Sequence, residues 1–143
     1  MVISDIASPK TDEWFSNTKG LLSSLISLYP VYAVDGNYEE DLDNHINGYR
    51  HQRSSKGSYD LFWSELKKIE VHNLNNCSVY MKEPNIAITG LKAGKGIYRK
   101  KFHAPLILSR MTELVDTSKR DHFNVLLEHT PKYFPIYCKW EQI

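Results

Sequence analysis

Two alternating stretches constrain the fold more than anything else in the chain: LILSRMTEL at 106–114 and FNVLLEH at 123–129. Alternation marks a half-buried strand, because successive side chains leave opposite faces of the backbone. In the first stretch Leu106, Leu108, Arg110, Thr112 and Leu114 share a face, and in the second Phe123, Val125, Leu127 and His129 do. The polar run DTSKRD between them suits a loop. Pairing Val115 with His122 sets Leu114 opposite Phe123, Thr112 opposite Val125, Arg110 opposite Leu127 and Leu108 opposite His129. A slip of one residue would put the two apolar faces on opposite sides of the sheet. Arg110 and His129 interrupt that face as diagonal neighbours. A buried guanidinium needs a partner. Arg110 therefore bridges to a carboxylate of another element, snorkels at the rim, or joins His129 in a polar cluster at the floor of a pocket.

Upstream, residues 1–10 read as a loose arm, and 11–143 as a single domain. Thr11 or Asp12 caps an amphipathic helix whose stripe is Trp14, Phe15, Leu21, Leu22, Leu25, Ile26 and Leu28, and Pro30 stops it. Asp35-Gly36-Asn37 is turn chemistry. Tyr38 to Ile46 suits a short helix with Glu39, Glu40, Asp41 and Asp43 on its solvated face. A third helix starts at Ser58, with Leu61, Phe62, Leu66 and Ile69 apolar and Trp63 beside them or lining a cavity. From there the period becomes two. Cys77, Val79 and Met81 share a face with Ile86 and Ile88 if Met81 pairs with Ile86 across the turn Glu83-Pro84-Asn85, and Gly90 suits a bulge. A further strand starts near Ile97, and PKYFPIYCKW reads as a last edge strand or extension. Helices followed by hairpins predict an α+β fold with an antiparallel sheet.

Composition removes several classes. A net charge of +1 supplies no global field for nucleic acid or an anionic membrane. Cys77 and Cys138 lie far apart without metal-ligand spacing, so no metal site is expected and free thiols are the simpler reading. The acidic residues lack EF-hand spacing, and His45 and His51 are six apart rather than four. The start, MVISDIASPKTDEW, lacks a basic segment followed by an apolar core, and no stretch approaches the ~20 apolar residues of a membrane span. A cytoplasmic location is expected.

Three segments carry a resemblance. KGSYDLFWSELKKI looks like a glycine-led helix preceding a sheet, NCSVYMKEPNIAITG like a strand, turn and strand, and LILSRMTELV followed by DHFNVLLEHT like a last strand pair with Arg-x-Thr and a terminal His. Together they cover about half the chain, which resembles the nuclear transport factor 2-like superfamily, including SnoaL-like and ketosteroid-isomerase-like proteins. The resemblance implies N-terminal helices packed in the concavity of a strongly curved antiparallel sheet, a cone. It also implies a cavity for a small organic ligand, with acid–base isomerisation, dehydration or cyclisation in some members and inert dimerisation or assembly domains in others. No metal or cofactor is implied. The chain departs from the pattern: Phe123 stands where the family often has tryptophan, and no residue matches the isomerase tyrosine and aspartates.

If the cavity is catalytic, it needs a base tuned near neutrality and a donor for developing negative charge. His129 suits the base, Arg110 an anion or enolate contact, and Asp35 a partner that orients His129. Tyr32, Trp63, Leu108, Thr112 and Leu127 would line the ligand site. Two rivals stand beside this reading. One is an interaction module that forms a homodimer through the outer face of the sheet, where Ser109, Met111, Glu113, Asn124, Leu126 and Glu128 would lie. The other binds nucleic acid through the basic segment LKAGKGIYRKKFH, with Lys92, Lys95, Arg99, Lys100 and Lys101 interleaved with Tyr98 and Phe102. Lysines also guard strand edges, and the near-zero net charge argues against the nucleic-acid reading.

Overall fold

The layers of the molecule meet at a short apolar run, Val31 to Val34, every residue of which is buried. The computed structural model of the chain describes residues 2–3, 12–42, 58–92 and 121–138. Within the run lies strand β2 (Tyr32–Ala33). Alternation turns Val31 and Ala33 to one side and Tyr32 and Val34 to the other. Val31 and Ala33 join Leu22, Phe62, Leu66 and Val71 in one core, against helices α1 (Asp12–Ile26) and α3 (Ser58–Lys68). Tyr32 and Val34 join Leu74, Ile88 and Leu127 in a second core. A strand buried on both faces reads as a continuous apolar run, and that is what VYAV is.

Around β2 the sheet is parallel. Strand β1 (Val2–Ile3) pairs with β2 through Val2 with Tyr32 and Ile3 with Ala33, and β2 pairs with β3 (His72–Asn73) through Tyr32 with His72. Parallel neighbours need a crossover. Helix α1 supplies the first, and the second contains α2 (Asn37–Asp41) and α3. The expected loose arm is thus corrected in part, because Val2 and Ile3 are a strand of this sheet.

The second sheet is mixed. Strands β4 (Cys77–Met81) and β5 (Ile86–Leu91) form an antiparallel hairpin in the register read from the sequence, Met81 with Ile86 and Val79 with Ile88. Strand β6 (Phe123–Glu128) runs parallel to β5, Ile86 beside Phe123 and Leu91 beside Glu128. The α+β class stands, but the antiparallel expectation does not. Of the four described pairings, three are parallel, because each pair is joined by a long connection rather than a tight turn. The proposed partner of β6, residues 106–114, lies outside the described residues.

Several side chains sit elsewhere than their patterns predict. Helix α1 ends at Ile26, so Leu28 falls beyond its last turn and is exposed, as is Leu21 on the flank of the stripe. On α3, Leu61 is likewise exposed while Phe62 and Leu66, one turn apart, fill the core. Glu39 and Glu40 are buried rather than solvated. Glu39 folds back to accept from the Gly36 amide at 2.8 Å, closing the start of α2. Gly90 marks no bulge. It pairs in register with both Cys77 and Leu127, and a Cβ there would lie 2.1 Å from the Leu74 carbonyl oxygen, so its role is close backbone approach. The segment expected as a last strand is a 3-10 turn (Pro131–Tyr133) and a helical turn, α4 (Phe134–Tyr137). Thr130 caps it and Pro131 opens it, which leaves Tyr133 and Tyr137 buried one turn apart. Cys77 and Cys138 are exposed free thiols. Among the described residues no helix is long and apolar enough to cross a membrane.

Candidate functional site

Four strands deliver polar residues just past their carboxyl ends: Asp35 after β2, Asn75 after β3, Lys92 after β5, and Glu128 with His129 at the end of β6. Because β2 and β3 run together, as do β5 and β6, the polar ends of each pair lie on one side. The Lys92–Asp35 ion pair, at 2.5 Å, joins the two sheets there. Crevices outside the carboxyl ends of parallel strands are where α/β sheets bind ligands.

The first half of this region is closed on itself. Asp35 continues the parity of Val31 and Ala33, so its side chain faces α3, and its exposure is 0%. Tyr59 and Trp63, four apart on α3, present two donors to it. The Tyr59 hydroxyl donates to Oδ2 at 2.7 Å and the Trp63 indole to Oδ1 at 3.1 Å. Lys92 completes the set, donating to the Tyr59 hydroxyl at 3.0 Å as well as pairing with Asp35.

The asparagines of the run Asn73 to Asn76 hold the frame. Asn75 accepts from the Asp35 amide at 2.8 Å and donates to the Tyr59 hydroxyl at 3.1 Å. The Asn76 side chain accepts from the Lys92 amide at 3.0 Å, in a turn where Asn76 takes φ 54°. Burial pulls the Lys92 ammonium down, but its bonds to Asp35 and Tyr59 outweigh that and the net shift is upward. Burial raises the Tyr59 phenol, and Asp35 adds to the rise against Lys92. A nucleophilic lysine or a phenolate base needs shifts of the opposite sign. This half of the site is a clamp.

The second half is not closed. Glu128 ends β6, and its carboxyl lies beside the Tyr137 hydroxyl of α4, close enough for each to perturb the other. The two lack hydrogen-bond geometry: Glu128 Oε1 and the Tyr137 hydroxyl are both buried without a hydrogen-bond partner. Burial pushes the Glu128 carboxyl up to about 7, against the lowering effects of the Thr130 amide and Tyr137. Burial and the adjacent Glu128 push the Tyr137 phenol up as well. Beside this pair, His129 Nε2 meets Asn37 Oδ1 at 3.0 Å, tying the end of β6 to the start of α2.

The residues singled out from the sequence divide accordingly. Asp35 and Trp63 come together, as hydrogen-bond partners. Asp35 does not orient His129, because its carboxylate is taken by Tyr59, Trp63 and Lys92 and the imidazole pairs with Asn37 instead. Tyr32 and Leu127 are both buried. They pack against one another's neighbours in the second core, with the Tyr32 ring stacked on His72 at 5.2 Å and its hydroxyl 3.8 Å from Met81 Sδ. Arg110, Leu108 and Thr112, and the basic residues Lys95, Arg99, Lys100 and Lys101, lie outside the described residues.

Sequence reasoning missed Tyr59, Asn75, Glu128 and Tyr137 as site residues. The i, i+4 spacing of Tyr59 with Trp63 was an available signal for one. Glu128 was assigned outward by parity, a face that α4 covers with Tyr137. Comparison of the chain with models of known protein families, with curated proteins and with solved structures finds no match.

Proposed function

We propose that this chain binds a small organic ligand at the carboxyl ends of its strands, with Glu128 exchanging a proton with that ligand. The observation that carries the reading is the pair of buried, unpartnered polar atoms, Glu128 Oε1 and the Tyr137 hydroxyl. Buried polar groups are nearly always satisfied, and each exception calls for an explanation, a catalytic role or a bound group among them. The Asp35 carboxylate, by contrast, is bonded to Tyr59, Trp63 and Lys92, so polar groups are satisfied in one half of the region and not in the other.

A carboxyl near neutrality is also what acid–base isomerisation, dehydration or cyclisation requires. In this reading Glu128 takes the role that the sequence suggested for His129. The curved cone of the superfamily that the sequence resembles is the finer form of the fold. Its support is the helices that precede the β4–β5 hairpin, and the three parallel pairings weigh against it. The test is a fragment screen by NMR on the wild type, Glu128→Gln and Lys92→Met. Fragments retained by Lys92→Met and lost from Glu128→Gln are expected, and fragments indifferent to Glu128 would refute the proposal.

A second reading, a non-catalytic module that pairs with another copy of the chain, is favoured by one surface. Phe123 is 70% exposed, and beside it Tyr80 meets the His122 ring edge-on at 5.5 Å. Sedimentation of the wild type against Phe123→Ser decides it: a concentration-dependent dimer lost in the variant supports pairing, and a monomer throughout refutes it.

A further inference from the structure

The ligand reading leaves the ligand's chemistry open, and the surroundings of Glu128 narrow it. Leu91 stands beside Glu128 in the β5–β6 register, and the residue that follows Leu91 is a cation, Lys92. Its ammonium is turned away and held by Asp35 at 2.5 Å and by Tyr59 at 3.0 Å. The clamp thus takes up this cation.

Among the described residues, what faces Glu128 is the Tyr137 hydroxyl, the Thr130 amide and, behind Tyr137, Tyr133. None of these is a cation. Tyr137 itself is 7% exposed, and its hydroxyl has no partner. The neighbouring His129 points its Nε2 at Asn37. The missing group must therefore donate to a carboxylate oxygen, satisfy a phenol oxygen beside it, and bring the positive charge that burial of a carboxylate calls for. An anionic ligand would be repelled. An alcohol would meet the two hydrogen bonds but not the charge. A primary ammonium meets all three, since it carries three donors and no acceptor.

We infer that the site formed by Glu128 and Tyr137 receives the primary ammonium group of an amine ligand, which takes the place of Glu128's proton. This rests on the ligand reading above. Binding is an exchange: the ammonium forms an ion pair with Oε1 as the carboxylic proton leaves to solvent, so no charge is created or lost at the site. The phenol of Tyr137 turns its lone pair to the ammonium.

Carbon-detected NMR of the glutamate-labelled chain, titrated between pH 4 and 9, tests both levels. The probes are n-butylammonium, n-butanol and butyrate, with Glu128→Gln identifying the resonance. If Glu128 titrates near 7 in the free protein, and butylammonium both lowers that midpoint and binds about tenfold more tightly at pH 8 than at pH 6, the inference holds. Butanol should show no such pH dependence, butyrate should not bind, and Tyr137→Phe should weaken butylammonium several-fold. Titration near 7 with no response to butylammonium, or with butanol binding equally well, overturns the amine assignment and leaves the proton-exchange reading standing. A free-protein midpoint near 4.5 overturns both. Should Glu128→Gln fail to fold, Glu128→Asp identifies the resonance by its loss from the glutamate-labelled spectrum, and the wild-type titration with and without probe still decides.

Discussion

Replacing Lys92 by methionine keeps the aliphatic stem and removes the charge, and so isolates what the ion pair does for the fold. Its partner Asp35 has no exposure at all, while Lys92 retains 27% of its side-chain surface. After the change the carboxylate keeps the Tyr59 and Trp63 donors but loses its only counter-charge among the described residues. Removing one partner of a buried pair costs about 3–5 kcal/mol, and the two surviving donors place the loss near the lower end, about 3 kcal/mol. The companion Asp35→Asn/Lys92→Met leaves no charge in the clamp, and it should recover about 2 kcal/mol relative to the sum of the two single changes. Urea unfolding at pH 7, with the slope held in common, measures all three. A loss under about 1 kcal/mol for Lys92→Met, the value of a surface pair, would refute the clamp. So would strict additivity in the cycle.

Three further outcomes follow from the geometry. Gly90→Ala drives a Cβ to 2.1 Å from the Leu74 carbonyl oxygen and 2.6 Å from Leu74 Cβ, so the backbone must shift and stability should fall by about 1–3 kcal/mol in urea. Leu66→Ala empties a fully buried site between α1, α3 and β2, and thermal or urea unfolding should register a loss of about 2–5 kcal/mol. Glu128 sets a pH dependence whose sign is fixed. Its folded carboxyl, at about 7, stands above the ordinary 4.5, so the native state holds a proton that the unfolded chain has released. That contribution is complete below about 4.5 and disappears as pH rises to about 7. The difference in urea midpoint between wild type and Glu128→Gln should shrink or reverse across that window and be flat on either side.

What the sequence revealed depended on how each residue is seen by its neighbours along the chain. The β4–β5 hairpin was legible to the residue because both strands alternate and the turn between them is short, so one register satisfies both faces. Helices α1 and α3 announced themselves by spacing, though the stripe was read too wide, and Leu21, Leu28 and Leu61 stayed in solvent. Strand β2 was missed for the opposite reason. VYAV has no alternation to read, because each of its faces meets a core of its own. With β2 unread, the parallel sheet built on it was unreadable too.

The site shows the same division. Asp35 was picked out from its turn, but its partners Tyr59, Trp63, Asn75 and Lys92 are brought to it by tertiary packing alone. Glu128 followed strand parity outward until the C-terminal tyrosines covered that face.

The parallel pairing of β5 with β6 has a consequence for how the chain is made. Strand β5 is buried from Ala87 to Leu91, and it finds β4 almost as soon as both are synthesised. Its other neighbour starts at Phe123, and at ordinary elongation rates of about 5–20 residues per second β5 waits roughly 2–7 s for it. During that interval a nascent chain carries an apolar strand with one bare edge, the template that recruits other strands. Glu128 and Tyr137 are made only after the same interval. Strand β6 therefore ends the exposure of that edge and, through Leu127, completes the second core in a single step.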